Sequence, residues 1–454
     1  MTRQEAPVSP PVVLTIAGSD SGGGAGIQAD LKTIEAGGAF GTSAITSITA
    51  QNTTGVERTH VLPTEEIAAQ CAAVVDDFDV AAVKTGMLAT AEVVELVTER
   101  VRETDAPAVV DPVMVASSGD RLLETAAETA YEDLVAESRL VTPNADEAAV
   151  LTDIDPESEA EARDAGDALV EMGADAALIK GGHIQGDAVV DVLVTADSVE
   201  TFRHPRVDTD ATHGSGCTLS SAVATRLAHG DDVVDAVGAG IDLLGRAVRY
   251  NLDVGHGPGA VHHTVALRNQ AARDETAQAV EGIVQSLVDA NVGPLVPEVG
   301  TNVAGGTPYA ERPGETAAVE GRITRTHAGA TPNRGVRFGA STHVARLLLA
   351  AREHDADLRF ALNCRYDDAV ADALEALDGP VATFDSTEAP PEAAASAVEW
   401  GVERAFESVD GTPAVVVNGG AYGTEPIAFV LSQTPDALVD RSLAVLDQLD
   451  SDRD

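Results

Sequence analysis

Short apolar runs alternate with helical segments along the first half of the chain. Runs of this length predict strands, and the apolar spacing between them predicts helices. Strands and helices that alternate at this pitch predict an α/β fold, a doubly wound, mostly parallel sheet with helices on both faces. The predicted strands are 12–18, 44–51, 81–86, 108–113, 140–142, 176–180 and 189–195. The predicted helices are 27–36, 65–75, 90–102, 157–172, 215–228 and 233–250.

Distinctive polar residues follow these strands at their carboxyl ends. In an open α/β sheet, ligands bind in the crevice outside the carboxyl ends of the parallel strands. We therefore expect the polar residues to line one ligand site. They are Gly18-Ser19-Asp20, Gln51-Asn52, Lys84-Thr85-Gly86-Met87, Asp111-Pro112, Thr142-Pro143-Asn144 and Lys180-Gly181-Gly182-His183.

The stretch 210–217 carries Gly214 and Gly216 directly at the start of the predicted helix 215–228. Glycines let the backbone turn tightly, so that successive N–H groups point into one concavity at the positive end of the helix dipole. This pattern predicts a phosphate site, although a glycine-rich helix start without a ligand has the same composition. Cys217 favours the functional interpretation, because a thiol on the first turn of a helix is expected to have a lowered pKa and to relay a proton.

The residues at the strand ends have the chemistry that phosphoryl transfer requires, which is charge neutralisation and positioning. Asp111 and Glu147 could hold Mg²⁺, and Lys180 could contact nucleotide phosphates. The side-chain amide of Gln51 offers a donor and an acceptor that match the edge of an aminopyrimidine. A solvated acidic surface for the two carboxylates, and a polar loop for Gln51, remain open alternatives at this point.

Two common nucleotide motifs are absent from the sequence. Gly24-x-Gly26-x-x-Ala29 imitates a dinucleotide fingerprint, but no acidic residue stands about 20 positions further on to bind a ribose. No Gly-Lys-Ser/Thr sequence follows a glycine-rich loop, which excludes a Walker motif.

The formal net charge of −45 is extreme for 454 residues, yet 44% hydrophobic residues are enough for full cores. We interpret the acidity as a well-solvated surface suited to a high-salt cytoplasm, and we expect neither nucleic acid nor an anionic membrane as a partner. Only three lysines occur, Lys32, Lys84 and Lys180, and each adjoins a glycine-bearing or strand-end motif. Three distant cysteines fit no disulfide or zinc pattern. No signal peptide or membrane span is predicted, so we expect a cytoplasmic enzyme.

A second, smaller α/β domain is predicted over 275–452, after a first domain over 10–268. The interval 270–289 has helical spacing, and a different arginine content follows it. Nine arginines lie between Arg312 and Arg365, which predicts a second phosphate-bearing ligand. The predicted strands are 358–363, 380–384 and 413–417, and the predicted helices are 341–352, 367–377 and 392–407.

Residues 12–268 resemble the hydroxymethylpyrimidine and phosphomethylpyrimidine kinases of thiamine biosynthesis, in the ribokinase-like superfamily. The resemblance is carried by motifs that occur in order along the whole domain: 15–20, 23–32, 49–53, 84–88, 142–144, 180–183, 212–218 and 254–263. It implies a small-molecule kinase that uses ATP and Mg²⁺ and phosphorylates first the hydroxymethyl group and then the monophosphate. Gly18, Ala25, Gln51 and Met87 are the implied pyrimidine-binding residues. Many relatives carry aspartate as the base at the position of Cys217, and cysteine fits the pyrimidine kinases. A pyridoxal kinase remains an alternative.

Residues 275–452 resemble the archaeal type of thiamine-phosphate synthase. The motifs are 296–302, 321–323, 338–346, 363–366 and 423–426. The resemblance implies that the domain joins the pyrimidine diphosphate to a thiazole phosphate and releases pyrophosphate. Arg322 and His343 are the implied catalytic residues, because an arginine fork grips phosphate and a histidine can protonate the leaving group. Arg337, Asn363 and Arg365 are the implied substrate-binding residues.

One feature of this second domain supports a phosphate site beside His343, and two weaken the phosphate-binding interpretation. Ser341 could cap the helix that carries His343. Arg337 and Arg365 could instead pair with surface acids. Ser386-Thr387 stands where an arginine is expected after Asp385, which weakens the predicted binding of the second phosphate.

A ligand-sensing domain is the alternative to a synthase, although no helix-turn-helix pattern precedes it. We expect a homo-oligomer.

Overall fold

The computed structural model describes residues 4, 6–114, 127–183, 186, 188–374, 376–390, 396–420 and 425–451. The chain divides into two compact units, Met1–Leu267 and Arg268–Asp454. Among the described helices, none is both long enough and apolar enough to cross a membrane.

The first unit is built on a nine-stranded sheet with the order β3-β2-β1-β4-β5-β6-β7-β8-β9. Strands β2, β1, β4, β5, β6 and β7 pair in parallel, and β3, β8 and β9 add antiparallel strands at the two edges. The strands are β1 (Val12–Asp20), β2 (Phe40–Asn52), β3 (Gly55–Val61), β4 (Val80–Thr85), β5 (Ala108–Val110), β6 (Leu140–Val141), β7 (Ala176–Ile179), β8 (Ala188–Thr195) and β9 (Val199–Pro205).

Helices cover both faces of this sheet. Because side chains alternate along a strand, Leu14 and Ile16 pack into the core on one face and Val13 into the core on the other. The described helices are α1 (Gly26–Ala36), α2 (Thr64–Val75), α3 (Ala91–Arg102), α4 (Ala130–Ala136), α5 (Ala145–Thr152), α6 (Glu159–Met172), α7 (Ser215–Ala228) and α8 (Val233–Arg249). A 3₁₀ turn, Gly181–His183, follows β7. The predicted doubly wound, mostly parallel fold is confirmed.

Agreement with the predicted bounds differs from element to element. Helix α7 has the predicted bounds, whereas β5 ends at Val110 rather than at residue 113. Edge strand β3 was not predicted, because most of its side chains are exposed and polar and it lacks an apolar run.

The second unit has a seven-stranded sheet with the order β14-β11-β10-β15-β18-β17-β16 and a separate β12-β13 hairpin. Its strands are β10 (Val303–Gly306), β11 (Thr316–Val319), β12 (Ile323–Thr326), β13 (Gly329–Pro332), β14 (Val336–Phe338), β15 (Phe360–Arg365), β16 (Val381–Phe384), β17 (Val415–Asn418) and β18 (Ile427–Ser432). Helix α9 (Val265–Ala271) runs across the division between the units, and the later helices are α10 (Arg273–Asp289), α11 (His343–His354), α12 (Asp368–Leu374), α13 (Ala397–Glu407) and α14 (Pro435–Ser451).

Two cores again lie on the two faces of the sheet, one around Val280 and Leu438 and the other around Leu347 and Val402. The sheet is mainly antiparallel, and among its described strands only β16 and β17 pair in parallel. Alternation of strands and helices predicts an α/β domain, but it does not predict whether neighbouring strands run parallel or antiparallel. The predicted start of helix 392–407 and positions 423 and 424 of the last motif lie outside the described residues.

Candidate functional site

A cavity of about 650 Å³ opens in the first unit, where the carboxyl ends of the parallel strands meet. Ten residues predicted for this site line it: Gly18, Ala25, Gln51, Met87, Asp111, Glu147, Lys180, Gly214, Gly216 and Cys217. They come from strands, loops and the starts of three helices that are far apart in sequence. The sheet topology alone brings them together, as the strand-end rule predicts.

The N-terminus of α7 lines the cavity. Gly214 precedes the helix with φ 85°, and a Cβ atom there would lie 1.9 Å from the carbonyl oxygen of Gly24. Only glycine fits this left-handed position and this close approach. A Cβ on Gly216 would instead lie 3.4 Å from both Oδ2 of Asp111 and Nζ of Lys180. The first turn of α7 therefore faces a cation and a carboxylate directly.

Lys180 lies between the two carboxylates predicted to hold a metal. Its Nζ atom is 3.0 Å from Oδ1 of Asp111 and 3.8 Å from Oε2 of Glu147. Glu147 belongs to a capping box at the start of α5, in which its side chain accepts from the backbone N–H of Asn144. Burial raises the pKa of Glu147 to about 7; Lys180 opposes this rise and Asp111 adds to it.

The pKa predicted for Cys217 is wrong in direction. Burial raises the pKa of its thiol to about 11, although Lys84 lowers it, and Asp30 and Asp111 raise it further. Loss of hydration outweighs the helix dipole in this dense site. Cys217 is therefore a neutral thiol near pH 7 before substrates bind. The side chain remains partly exposed to the cavity.

Asp20 connects the glycine-rich loop after β1 to the start of α7. Its carboxylate accepts hydrogen bonds from the backbone amides of Gly22, Gly24 and Ala25 at 2.7, 2.9 and 2.8 Å. His213 Nε2 lies 3.2 Å from Oδ2 of Asp20 and 3.4 Å from Nε2 of Gln51. Burial tends to raise the pKa of Asp20, but the hydrogen bonds from His213 and the amides lower it overall.

Sequence reasoning assigned no role to a buried ion pair behind this site. Lys84 Nζ lies 2.8 and 2.9 Å from the two carboxylate oxygens of Asp30, and both side chains are fully buried. Lys84 also lines the cavity. The rarity of lysine in this chain was a reason to single out Lys84. Its partner could not be predicted, because Asp30 is 54 positions away in the sequence.

In the second unit, several motifs meet at the loop 296–302. Glu425 accepts hydrogen bonds from the backbone amides of Glu298 and Val299 at 3.0 and 2.8 Å. Asn363 donates to the carbonyl of Gly300 at 3.1 Å, and its Oδ1 accepts from the amide of Asn302 at 2.6 Å. Asn363 is thus a buried residue that holds this loop in place.

Arg322 and His343, the two predicted catalytic residues, are brought together beside this loop. Arg322 has φ 70°, which is rare for a residue with a side chain, and it donates to the carbonyl of Val299. His343 is the first residue of α11, and its ring centroid is 5.4 Å from that of Phe429. Although His343 has an exposed edge, the packing around it and the positive charge of Arg322 lower its pKa.

The structure corrects the predicted cap of this helix. The N-cap position belongs to Thr342, which makes no side-chain capping hydrogen bond, and not to Ser341. Ser341 is instead buried one position earlier. The local sequence offers two adjacent hydroxyl residues, and it does not distinguish which of them ends the preceding loop.

Much of the arginine concentration serves the fold of the second unit. Arg337 pairs with Glu320 at 3.1 Å, and Arg365 bonds to Asp367 and to the carbonyl of Pro294, so the alternative of pairing with acids describes both. Arg352 is buried and donates to two carbonyl oxygens. A dense run of arginines in an acidic chain is therefore weak evidence for a ligand.

Among the described residues, no group of three or more His, Cys, Asp or Glu side chains could enclose a metal ion. The pair Asp111 and Glu147 still suits Mg²⁺. This ion commonly uses one or two carboxylates and completes its shell with water and substrate phosphates.

Comparison with known proteins agrees with this geometry. Residues 20–262 match the family model for phosphomethylpyrimidine kinase, and residues 279–444 match the model for thiamine-phosphate synthase ThiN. A hydroxymethylpyrimidine/phosphomethylpyrimidine kinase of Streptomyces coelicolor is 50% identical over 268 residues, which cover 59% of this chain and 99% of that protein. The thiamine biosynthesis bifunctional protein ThiED of Geobacter sulfurreducens is 42% identical over 58% of this chain and 54% of its own length.

A solved structure extends the comparison to the fold. The ADP complex of a Bacillus subtilis pyridoxal kinase matches with a TM-score of 0.53 and 32% identity, over 57% of this chain and 99% of that one.

The two family models decide the assignment. The chain belongs to the phosphomethylpyrimidine kinase family, and a thiamine-phosphate synthase ThiN domain follows the kinase in the same chain.

Proposed function

We propose that residues 10–268 transfer the γ-phosphoryl group of ATP to hydroxymethylpyrimidine and then to its monophosphate. The observation that carries this proposal is that Lys180 and Asp111 meet at the first turn of α7. A Cβ atom added to Gly216 would lie 3.4 Å from Nζ of Lys180 and 3.4 Å from Oδ2 of Asp111. A cation, a carboxylate and the N–H groups of a helix start in one place match the charge of a transferring phosphoryl group.

Each side chain has a distinct part in this reaction. Lys180 binds the nucleotide phosphates, and the amides of Gly214, Gly216 and Cys217 hold the transferred group, since that of Ser215 donates to the carbonyl of Thr212. Gln51 binds the edge of the pyrimidine, beside Gly18, Ala25 and Met87, and Cys217 accepts the proton of the substrate hydroxyl as its oxygen attacks. Asp111 and Glu147 would hold Mg²⁺, which neutralises phosphate charge when it is bound.

The kinase proposal is tested with the purified full chain, ATP, Mg²⁺ and hydroxymethylpyrimidine at high salt. We expect the monophosphate to appear first and the diphosphate after it, with one ADP formed at each step. The absence of both products in a folded protein would contradict the proposal.

We infer that residues 275–452 condense the pyrimidine diphosphate with a thiazole phosphate and release pyrophosphate. The support is that Arg322 lies near enough to His343 to lower its pKa, beside a loop fixed by Asn363 and Glu425. Arg322 grips phosphate oxygens, and His343 donates a hydrogen bond to the departing pyrophosphate. Arg337 and Arg365 need to exchange their present acidic partners before they can bind a substrate phosphate.

A coupled assay separates a synthase from a sensor. Supplied with both phosphorylated substrates, the chain should form thiamine phosphate and pyrophosphate in equal amounts. If thiamine phosphate binds but no turnover occurs, the second domain is a ligand sensor.

Similarity to a pyridoxal kinase supports a second candidate activity for the first domain. This activity predicts phosphorylation of pyridoxal with a kcat/KM comparable to that for the pyrimidine. A direct comparison of the two substrates decides between them.

A further inference from the structure

The buried ion pair between Lys84 and Asp30 lies directly behind the first turn of α7. Its two short contacts, 2.8 and 2.9 Å, leave the ammonium no freedom to turn away from the carboxylate. Hydroxyl groups fill the remaining positions on Asp30: Thr15 donates to Oδ2 at 2.6 Å and Ser221 donates to Oδ1 at 2.8 Å. The pair is therefore built rigidly, with its partners supplied by β1, α1, β4 and α7.

The pair is tied to Cys217 through helix α7. Ser221 lies four residues after Cys217, so both side chains project from the same side of the helix. Ser221 contacts Asp30, while Lys84 and Cys217 both line the kinase cavity. A fixed and fully buried positive charge thus lies on the same side of α7 as the thiol, where it is screened less than a charge at the protein surface.

We propose that Lys84 is a positioning residue of the kinase site, whose ammonium group is fixed by Asp30 and stabilises negative charge on Cys217. This inference rests on the proposed kinase function. A buried ion pair is a poor source of stability, because desolvation of both charges offsets their attraction. The burial of this ion pair is therefore better explained by a function in the site than by a contribution to stability.

The chemistry explains how a thiol with a raised pKa can act in proton transfer. Lys84 is the leading influence that lowers the pKa of Cys217, against burial, Asp30 and Asp111, while Lys180 is also close enough to interact with the thiol. Asp30 keeps Lys84 charged despite its burial. The Cys217 thiol first releases its own proton to solvent through the open cavity, and in the reacting state the thiolate sulfur takes the proton of the substrate hydroxyl. The hydroxyl oxygen forms a bond to the γ-phosphorus, and the bond from that phosphorus to its bridging oxygen breaks, with the electron pair leaving on ADP.

The test uses two substitutions that break the same ion pair but change opposite charges. In the full chain without substrates, iodoacetamide labelling of Cys217 is followed by peptide mass spectrometry from pH 7 to 11. Lys84→Met should slow the labelling of Cys217 at pH 8 by about tenfold, the effect of one pKa unit on the thiolate fraction. Asp30→Asn should speed it, because Asp111 still favours the charged form of Lys84 after the carboxylate of Asp30 is removed. If the pair were only structural, both variants would loosen the site and shift the labelling in the same direction, which would overturn the proposal.

A double variant keeps the proposal testable if a single buried charge prevents folding. Lys84→Met with Asp30→Asn contains no charge at either position, and circular dichroism checks that it folds. We expect kcat for phosphorylation to fall by about 100-fold while the KM for the pyrimidine changes little. A folded double variant with the kcat of the unsubstituted chain would overturn the proposal.

An exposed ion pair far from Cys217 in the sequence provides the matched control. The exposed pair Arg139–Asp175 is altered in the same way, as Arg139→Met with Asp175→Asn, and it should leave both labelling and kcat unchanged. Labelling requires neither ATP nor pyrimidine. Failure of the unsubstituted chain to phosphorylate would therefore contradict the kinase function, whereas the direction of the labelling shifts tests Lys84 separately.

Discussion

The Nζ atom of Lys180 lies 3.0 Å from Oδ1 of Asp111, and both groups face the position of Gly216. In the proposed kinase reaction, nucleotide phosphates would attract the cation of this pair and a divalent cation would attract the anion. Substrate binding would then replace an internal ion pair with two external ones, which limits the cost of leaving either charge unpaired.

The role of Asp111 is tested by Asp111→Asn, which keeps the shape of the side chain and removes its charge. We expect kcat for phosphorylation to fall by about 10²- to 10³-fold, because the charge that organises the transferring phosphate is lost. The concentration of Mg²⁺ needed for half-maximal activity should rise. Steady-state kinetics over a Mg²⁺ titration measures both effects, with the exposed Asp175→Asn as the control. An unchanged Mg²⁺ requirement would show that Asp111 does not help to hold the metal.

Two glycines at the start of α7 should respond differently to alanine. Gly214→Ala places a Cβ 1.9 Å from a backbone oxygen at φ 85°, and we expect a loss of about 1–3 kcal/mol in the free energy of unfolding. Gly216→Ala meets its neighbours only at 3.4 Å, so stability should change little while the added methyl group obstructs phosphate binding. Thermal unfolding and the KM for ATP measure the two effects. Equal destabilisation by both variants would contradict this distinction.

Most parallel strands of the first unit could be predicted because they are apolar runs with few polar interruptions. Strand β2 alternates apolar and polar residues, and it begins at Phe40 rather than at the predicted residue 44. β3 escaped prediction because its exposed edge position requires no apolar run. In the second unit, β10 and β11 have the sequences VAGG and TAAV, whose small residues carry little strand signal. Their burial becomes evident only when the neighbouring strands are in place.

The site could be predicted as a set of residues but not as a charge distribution. The strand-end rule placed Gln51 and Lys180 correctly in one cavity. The raised pKa of Cys217 depends on how densely the chain packs around it, and the partner of Lys84 comes from a helix 54 positions earlier. Such properties arise from tertiary contacts, which local sequence patterns do not contain.

His263 should make the stability of the first unit depend on pH. It is 3% exposed and its Nε2 donates to the carbonyl of Gly24 at 3.1 Å, and burial, with Lys32 nearby, lowers its pKa from 6.5 to about 4. Between these pH values the unfolded chain binds more protons than the folded one. Stability is therefore fully present above pH 6.5 and is lost as the pH falls towards 4, by on the order of 3 kcal/mol.

His263→Gln tests this pH dependence, because glutamine keeps an N–H donor and cannot titrate. Calorimetric unfolding at fixed high salt, from pH 7 to 4, should show a steeper loss for the unsubstituted chain than for the variant. Carboxylates titrate equally in both proteins and cancel in the comparison. Parallel curves would assign the acid sensitivity to those carboxylates and not to His263.

The two activities should be separable by single substitutions. Cys217→Ala should strongly reduce both phosphorylations, since it removes the proton acceptor, and should leave thiamine phosphate formation from supplied diphosphate intact. His343→Ala should have the reverse effect, with a loss of about 10²-fold in synthase kcat for one acid–base group. Each assay serves as the folding control for the other variant. His354→Ala, on the same helix but stacked on Phe406, is the matched histidine control for the synthase.

The charge of Arg322 further distinguishes catalysis from loop support in the second domain. Arg322 both donates to Val299 and lowers the pKa of His343. Arg322→Lys keeps the positive charge but loses the planar fork, so we expect a raised KM for the diphosphate. Arg322→Gln removes the charge, and the lowered pKa of His343 should return towards its ordinary value, which a ¹H–¹⁵N titration of the imidazole measures. If His343 titrates identically in all three proteins, the two residues do not act together, and the synthase mechanism proposed for this pair is wrong.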